Sequence, residues 1–155
     1  MISRKERTAA EVSDWLAGKG AGPEEVERIV ERLTVLELLD DEKFARLYAE
    51  DKRNLAGWGN ERIERTLIDR GIPSGVAREV VSAGIGDEVE RAISVLIDRG
   101  GDLEDERERQ RALGLLARRG FSSEDAYEAI RRLRREAAGR GEDDRDVASG
   151  ATQSR

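Results

Sequence analysis

The strongest constraint on this chain is a pattern that occurs three times: a leucine, a glycine four residues later, an apolar residue directly after the glycine, and apolar positions six, nine and ten residues beyond it. It reads Leu16, Gly20, Ala21, Val26, Ile29 and Val30, then Leu67, Gly71, Ile72, Ala77, Val80 and Val81, then Leu116, Gly120, Phe121, Ala126, Ala129 and Ile130. The three copies align without a gap. Self-similarity at a period of about 50 residues means a row of like supersecondary units, each burying its apolar face against its neighbours. Arrays of this kind bind partners more often than they catalyse.

The unit is helical. Val26, Ile29, Val30 and Leu33, then Phe44, Leu47 and Tyr48, then Val89, Ala92, Ile93 and Leu96 follow i, i+3, i+4 spacing, and no alternating stretch competes with it. Helices are predicted over 8–18, 23–37, 40–54, 60–70, 74–83, 87–99, 107–118 and 123–137. Thr8 with Glu11 and Ser122 with Asp125 have capping-box spacing, and Pro23 suits a first helical turn. Gly20, Gly71 and Gly120 each stand where a left-handed residue ends a helix. The repeat is therefore helix, Gly turn, helix. Two copies carry a preceding helix that opens on acids, Asp40, Asp41 and Glu42 in one and Asp87 and Glu88 in the other. The predicted organisation is a two-helix first repeat over 1–39, lacking its N-terminal helix, three-helix repeats over 40–85 and 86–137, and a disordered tail over 138–155.

Composition narrows the function. The chain has 155 residues, of which 37% are hydrophobic, 40% charged and only 4% aromatic, which suits half-exposed helices and argues against a large β core. It contains no cysteine and no histidine. Thiol nucleophiles, disulfides and the commonest general base and metal ligand are therefore missing, and neither an enzyme nor a cofactor is expected. No long apolar run and no charged-then-apolar leader is encoded, so the expected location is the cytoplasm, without membrane contact.

The run Leu39-Asp40-Asp41-Glu42-Lys43-Phe44-Ala45, followed by Gly57-Trp58-Gly59, Arg62-Ile63 and Leu67 through Gly71-Ile72, resembles the RecX family of recombination regulators. The third repeat matches through Leu115-Leu116-Ala117-Arg118-Arg119-Gly120-Phe121, and the likeness spans about residues 8–135. The resemblance implies tandem three-helix repeats in an elongated, curved array. It also implies a monomer that binds the RecA recombinase filament on single-stranded DNA and suppresses its growth, ATP hydrolysis and strand exchange, with at most weak direct contact to single- or double-stranded DNA.

Charge adds candidate contact residues. The formal net charge of −6 conceals a segregation in the third repeat: 87–106 is strongly acidic, whereas 107–135 holds nine arginines against four acids. Arginine favours planar, bidentate contact with carboxylate or phosphate. The cluster Arg107, Arg111, Arg118, Arg119, Arg131, Arg132, Arg134 and Arg135 is a candidate grip on an acidic surface or a DNA backbone. The plainer reading is solvation and pairing with glutamates three or four residues away. Trp58, set between Gly57 and Gly59, is a candidate anchor, or else folds onto its own repeat. Arg62 and Arg65 open the next helix and are candidate contacts. Trp15 is expected in the core. Consecutive acids at Asp40, Asp41 and Glu42 point in different directions on a helix and suit its positive N-terminal end, so no metal site is expected there.

Two other functions share these features. A helix-turn-helix DNA-binding protein would use the same helix pair and arginines, although a sequence pI near 5.0 opposes it. A helical scaffold or adaptor would share the array.

Overall fold

The computed structural model describes residues 7–84 and 88–149, and among them all regular structure is helical. The helices are α1 (Ala9–Gly18), α2 (Pro23–Val35), α3 (Asp41–Ala56), α4 (Asn60–Asp69), α5 (Ser74–Ala83), α6 (Glu88–Arg99), α7 (Glu106–Arg119) and α8 (Ser123–Ser149). They form two compact units, Met1–Ile85 and Gly86–Arg155, the first containing two repeats and the second one.

The recurrent sequence pattern is a recurrent helix ending. The amide after each turn glycine reaches back to the leucine carbonyl: Ala21 to Leu16 at 3.1 Å, Ile72 to Leu67 at 3.0 Å and Phe121 to Leu116 at 3.0 Å. The glycine amides bond one carbonyl further on, Gly20 to Ala17, Gly71 to Ile68 and Gly120 to Ala117. This is the Schellman arrangement, in which an apolar residue past the glycine packs against the residue whose carbonyl it caps. Gly71 shows why the glycine is required. Its φ is +86°, and a Cβ there would stand 2.3 Å from the Ala10 Cβ, so the turn both adopts a left-handed backbone and admits α1 at close range.

In the second repeat, Phe44, Ala45, Ala49, Ile63, Leu67, Ile72, Ala77, Val80 and Val81 make one buried cluster. In the second unit, Val89, Ala92, Ile93, Leu96, Ala112, Leu116, Phe121, Ala126, Ala129 and Ile130 make another. The first helix of each three-helix repeat, α3 or α6, packs against the other two. The described part of the first repeat has only α1 and α2, and no residue of either helix is fully buried. Val12, Leu16 and Ile29 are half-buried, whereas their counterparts Ile63, Leu67 and Val80, and Ala112, Leu116 and Ala129, are buried. Trp15 corrects the expectation of a core residue: it is 51% exposed, because no helix covers that side of α1 among the described residues.

The first repeat is held to the second by polar bonds. Thr8, fully buried, accepts from the Glu11 amide as the N-cap of α1 and donates its hydroxyl to the Arg70 carbonyl at 2.7 Å. Glu11 answers as a capping box requires, its carboxylate accepting from the Thr8 backbone amide, and it also holds Arg70. The acids that open α3 have separate roles. Asp40 caps α3 through the Lys43 amide, Asp41 accepts from the Ala9 amide at the start of α1, and Glu42 pairs with Arg46.

α8 departs from expectation. It runs through residue 149, where a disordered tail from 138 is predicted; 150–155 lie outside the described residues. Among the residues whose side chains are described, Leu133 is the last apolar one packed on the core. Beyond it alanine, arginine and acidic residues have enough intrinsic helix propensity to continue the helix, despite Gly139 and Gly141 at about 1 kcal/mol each relative to alanine.

Candidate partner-binding surface

The second repeat gathers three aromatic rings and three cations on one face. Phe44, Tyr48 and Lys52 fall four residues apart on α3 and so share a stripe. The Phe44 and Tyr48 rings stack at 5.8 Å between centroids. Gly57, with φ of +61°, ends α3, and the Trp58 amide bonds back to the Lys52 carbonyl at 3.0 Å, which swings the indole beside the stripe. Gly59 is then the N-cap of α4.

Cations occupy the spaces between the rings. Lys52 Nζ lies 5.3 Å from the Tyr48 centroid and 4.8 Å from that of Trp58. The Arg62 guanidinium is 3.9 Å from Trp58, and that of Arg70 is 4.6 Å from Phe44 and 5.6 Å from Tyr48. Such contacts draw a cation to the negative ring face, at ~0.5–2 kcal/mol each according to desolvation. Trp58 folds onto its own repeat, packing against its core, and remains half-exposed. Arg65 lies one helical turn from Arg62 and is exposed.

Titration behaviour follows the geometry. Burial raises the Tyr48 phenol above its ordinary value, opposed by the charges of Arg70 and Arg62. Arg70 is held by Glu11 in a bidentate pair, Nε to Oε1 at 2.6 Å and Nη2 to Oε2 at 3.1 Å. The hydrogen bond from Arg70 lowers the Glu11 carboxyl and raises the guanidinium in turn. Arg53, on another side of α3, is pulled down by burial; it donates to Asn60 Oδ1 and the Val81 carbonyl, which ties α3 to α4 and α5.

The arginine cluster of the third repeat divides. Arg111 pairs with Glu108, Arg131 with Glu128, Arg132 with Glu128 and Glu90, and Arg134 with Glu104 in a bidentate bond of 2.9 and 3.0 Å. Arg99 also reaches Glu108 at 2.8 Å. The acidic and basic halves of this segment thus fold onto each other and neutralise much of the segregated charge. Arg107 and Arg135 remain exposed with no ion pair among the described residues. Arg118 and Arg119 end α7 close to the negative end of its dipole.

Two family models match this chain, the second three-helix domain of RecX over residues 40–81 and the first three-helix domain of RecX over residues 1–33. A regulatory protein RecX from Halorhodospira halophila is 32% identical over an alignment covering 83% of this chain and 81% of the relative.

The chain belongs to the RecX family of regulatory proteins.

A RecX protein from Mycobacterium sp. (strain JLS) is 30% identical, over 84% of this chain and 75% of its own length. The crystal structure of RecX from Lactobacillus salivarius shares the fold, with a TM-score of 0.74, 23% identity and coverage of 84% and 88% of the two chains. The match to the second RecX domain begins at the α3 cap Asp40 and ends at Val81, so it contains Phe44, Tyr48, Lys52, Trp58, Arg62 and Arg70. Of these, sequence reasoning does not single out Lys52 as a contact residue and places Phe44 and Tyr48 only on a helix face. The four-residue spacing of Phe44, Tyr48 and Lys52 is the signal that could have found them. Among the described residues no group of His, Cys, Asp and Glu side chains could hold a metal, and no helix is long and apolar enough to cross a membrane.

Proposed function

We propose that this chain is a negative regulator of the RecA recombinase that binds the RecA filament on single-stranded DNA and inhibits its growth, ATP hydrolysis and strand exchange. Membership of a family of regulatory proteins carries this reading. The side-chain inventory supports binding over catalysis, since the sequence has no histidine or cysteine to supply a general base or nucleophile. The protein acts in the cytoplasm as a monomer, where its targets are the recombinase and the strand it coats.

Contact is made through two sets of residues. Trp58, Arg62 and Arg65 present ring and cation together on the second repeat. On the third, Arg107, Arg111, Arg118, Arg119, Arg131, Arg132, Arg134 and Arg135 meet the filament, and of these Arg111, Arg131, Arg132 and Arg134 also hold the repeat's own acids. The neutral balance of the latter group limits non-specific attraction to free DNA.

The test is RecA ATP hydrolysis on single-stranded DNA with this protein titrated to equal stoichiometry. Inhibition is expected. Arg107→Gln, Arg118→Gln and Arg135→Gln together should weaken inhibition and flatten its salt dependence without altering the helical circular dichroism. An unchanged salt slope removes the third repeat from the interface. Absence of inhibition by the wild-type chain, with DNA binding intact in a shift assay, would favour the helix-turn-helix alternative.

A further inference from the structure

We infer that the groove between α1 and α2 is a docking site for a basic, amphipathic segment of a partner protein, whose apolar side chains enter the groove and whose lysines or arginines meet Asp14, Glu27 and Glu31. This goes beyond the regulatory reading and rests on no part of it.

The other two repeats supply the comparison. With the turn glycines aligned, Ser13 and Glu27 stand where the second repeat has Glu64 and Arg78 and the third has Leu113 and Tyr127. The second repeat bridges its two helices at this place with an ion pair, Arg78 Nε to Glu64 Oε1 at 3.6 Å. In the third, Leu113 and Tyr127 line a groove whose rim charges answer one another, Arg109 with Glu106 and Arg131 with Glu128. The first repeat does neither. Ser13 is too short to bridge the helices and donates its hydroxyl to the Ala9 carbonyl at 2.9 Å. A groove of about 710 Å³ stays open there, with Ala17, Ala21, Val26 and Val30 among its lining.

The lining identifies the occupant. Asp14, Glu27 and Glu31 are the charged residues of this groove, and no cation lines it. None of the three has an ion pair among the described residues. Arg28 and Arg32 lie on the neighbouring row of α2, outside the lining. Val35, one turn beyond Glu31, is 76% exposed and continues the α2 wall. Carboxylates of one sign repel phosphate, so a nucleic acid is the wrong ligand. A small cation would meet the carboxylates and leave the apolar floor in water. A protein segment with apolar residues at helical spacing and lysine or arginine beside them satisfies both parts of the groove at once.

The experiment uses the full chain and a fluorescein-labelled peptide of about 14 residues built from leucine at helical spacing and lysine elsewhere. Saturable anisotropy change is expected, weakened by salt. Asp14→Asn, Glu27→Gln and Glu31→Gln together should weaken binding by about threefold or more, the sum of three exposed ion pairs at the low end of their range. The control triple Glu50→Gln, Asp51→Asn and Glu61→Gln removes the same charge from exposed, unpaired acids of the second repeat and should bind as the wild type does. Ser13→Arg sets a cation opposite Glu27, in the manner of the second repeat, and should block the peptide with the helical circular dichroism unchanged. Unaltered binding by the groove triple would overturn the site. Equal weakening by the two triples would reduce the interaction to general attraction between opposite charges and overturn it too. Equal binding of a lysine and serine peptide, or equal competition by spermine, would show that the apolar floor is unused. Self-association of the chain alone that Ser13→Arg abolishes would assign the groove to a second copy instead.

Discussion

Replacing Gly71 by alanine tests how the first repeat is seated on the second. Two costs arise at that position. The backbone sits at φ +86°, where an L side chain is disfavoured by about 1–2 kcal/mol. The added Cβ would also fall 2.3 Å from Ala10 Cβ and 3.7 Å from Ala10 Cα, contacts that demand displacement of α1. Overpacking of that kind costs roughly 1–3 kcal/mol. Gly20 supplies the internal control. Its φ is +93°, in the same type of turn, but a Cβ there meets nothing within 4 Å. Gly20→Ala therefore incurs only the backbone cost, and the reduced entropy of the unfolded chain affects both variants alike. Gly71→Ala should be less stable than Gly20→Ala by roughly 1–3 kcal/mol. Both tryptophans, Trp15 and Trp58, lie in the first compact unit, so urea unfolding followed by their fluorescence reports on that unit. Equal midpoints for the two variants, at equal denaturant slope, would refute the close approach of α1 to the Gly71 turn.

Two other perturbations probe the same unit. Leu67, fully buried, should lose about 2–5 kcal/mol on truncation to alanine, whereas its counterpart Leu16 is half-buried and should lose clearly less; similar losses in urea denaturation would contradict the uncovered face of the first repeat. Glu11 has a folded-state pKa below its unfolded value, so its pairing with Arg70 contributes stability above the unfolded carboxylate range and loses it as the pH falls through the folded pKa. In pH-dependent thermal unfolding, the wild type should therefore lose more stability than Glu11→Gln between neutral pH and the acid side of about 4.5, and parallel curves would show that the bridge is immaterial.

The candidate contact residues were unevenly legible. Trp58, Arg62 and Arg65 could be singled out because two glycines and a helix start surround them within a few residues. Lys52 could not, since its place depends on how the Gly57 turn brings Trp58 back across α3. The arginine cluster illustrates the opposite problem. Arg134 meets Glu104 at a separation of 30 residues and Arg132 meets Glu90 at 42, pairs that a count of local charge does not reveal. Pairs three or four residues apart, such as Arg111 with Glu108 and Arg131 with Glu128, were readable from helical spacing.

Helix type, helix starts and the three Gly turns follow from sequence alone, because each depends on interactions spanning a few residues: i, i+4 bonding, caps and the leucine-to-apolar closure across each turn glycine. Tertiary structure decided the exposure of Trp15, the partner of Glu11 59 residues away, and the meeting of Lys52, Trp58 and Arg62. Those outcomes depend on which faces of separate helices cross and at what rotation, and local spacing carries no information about that crossing.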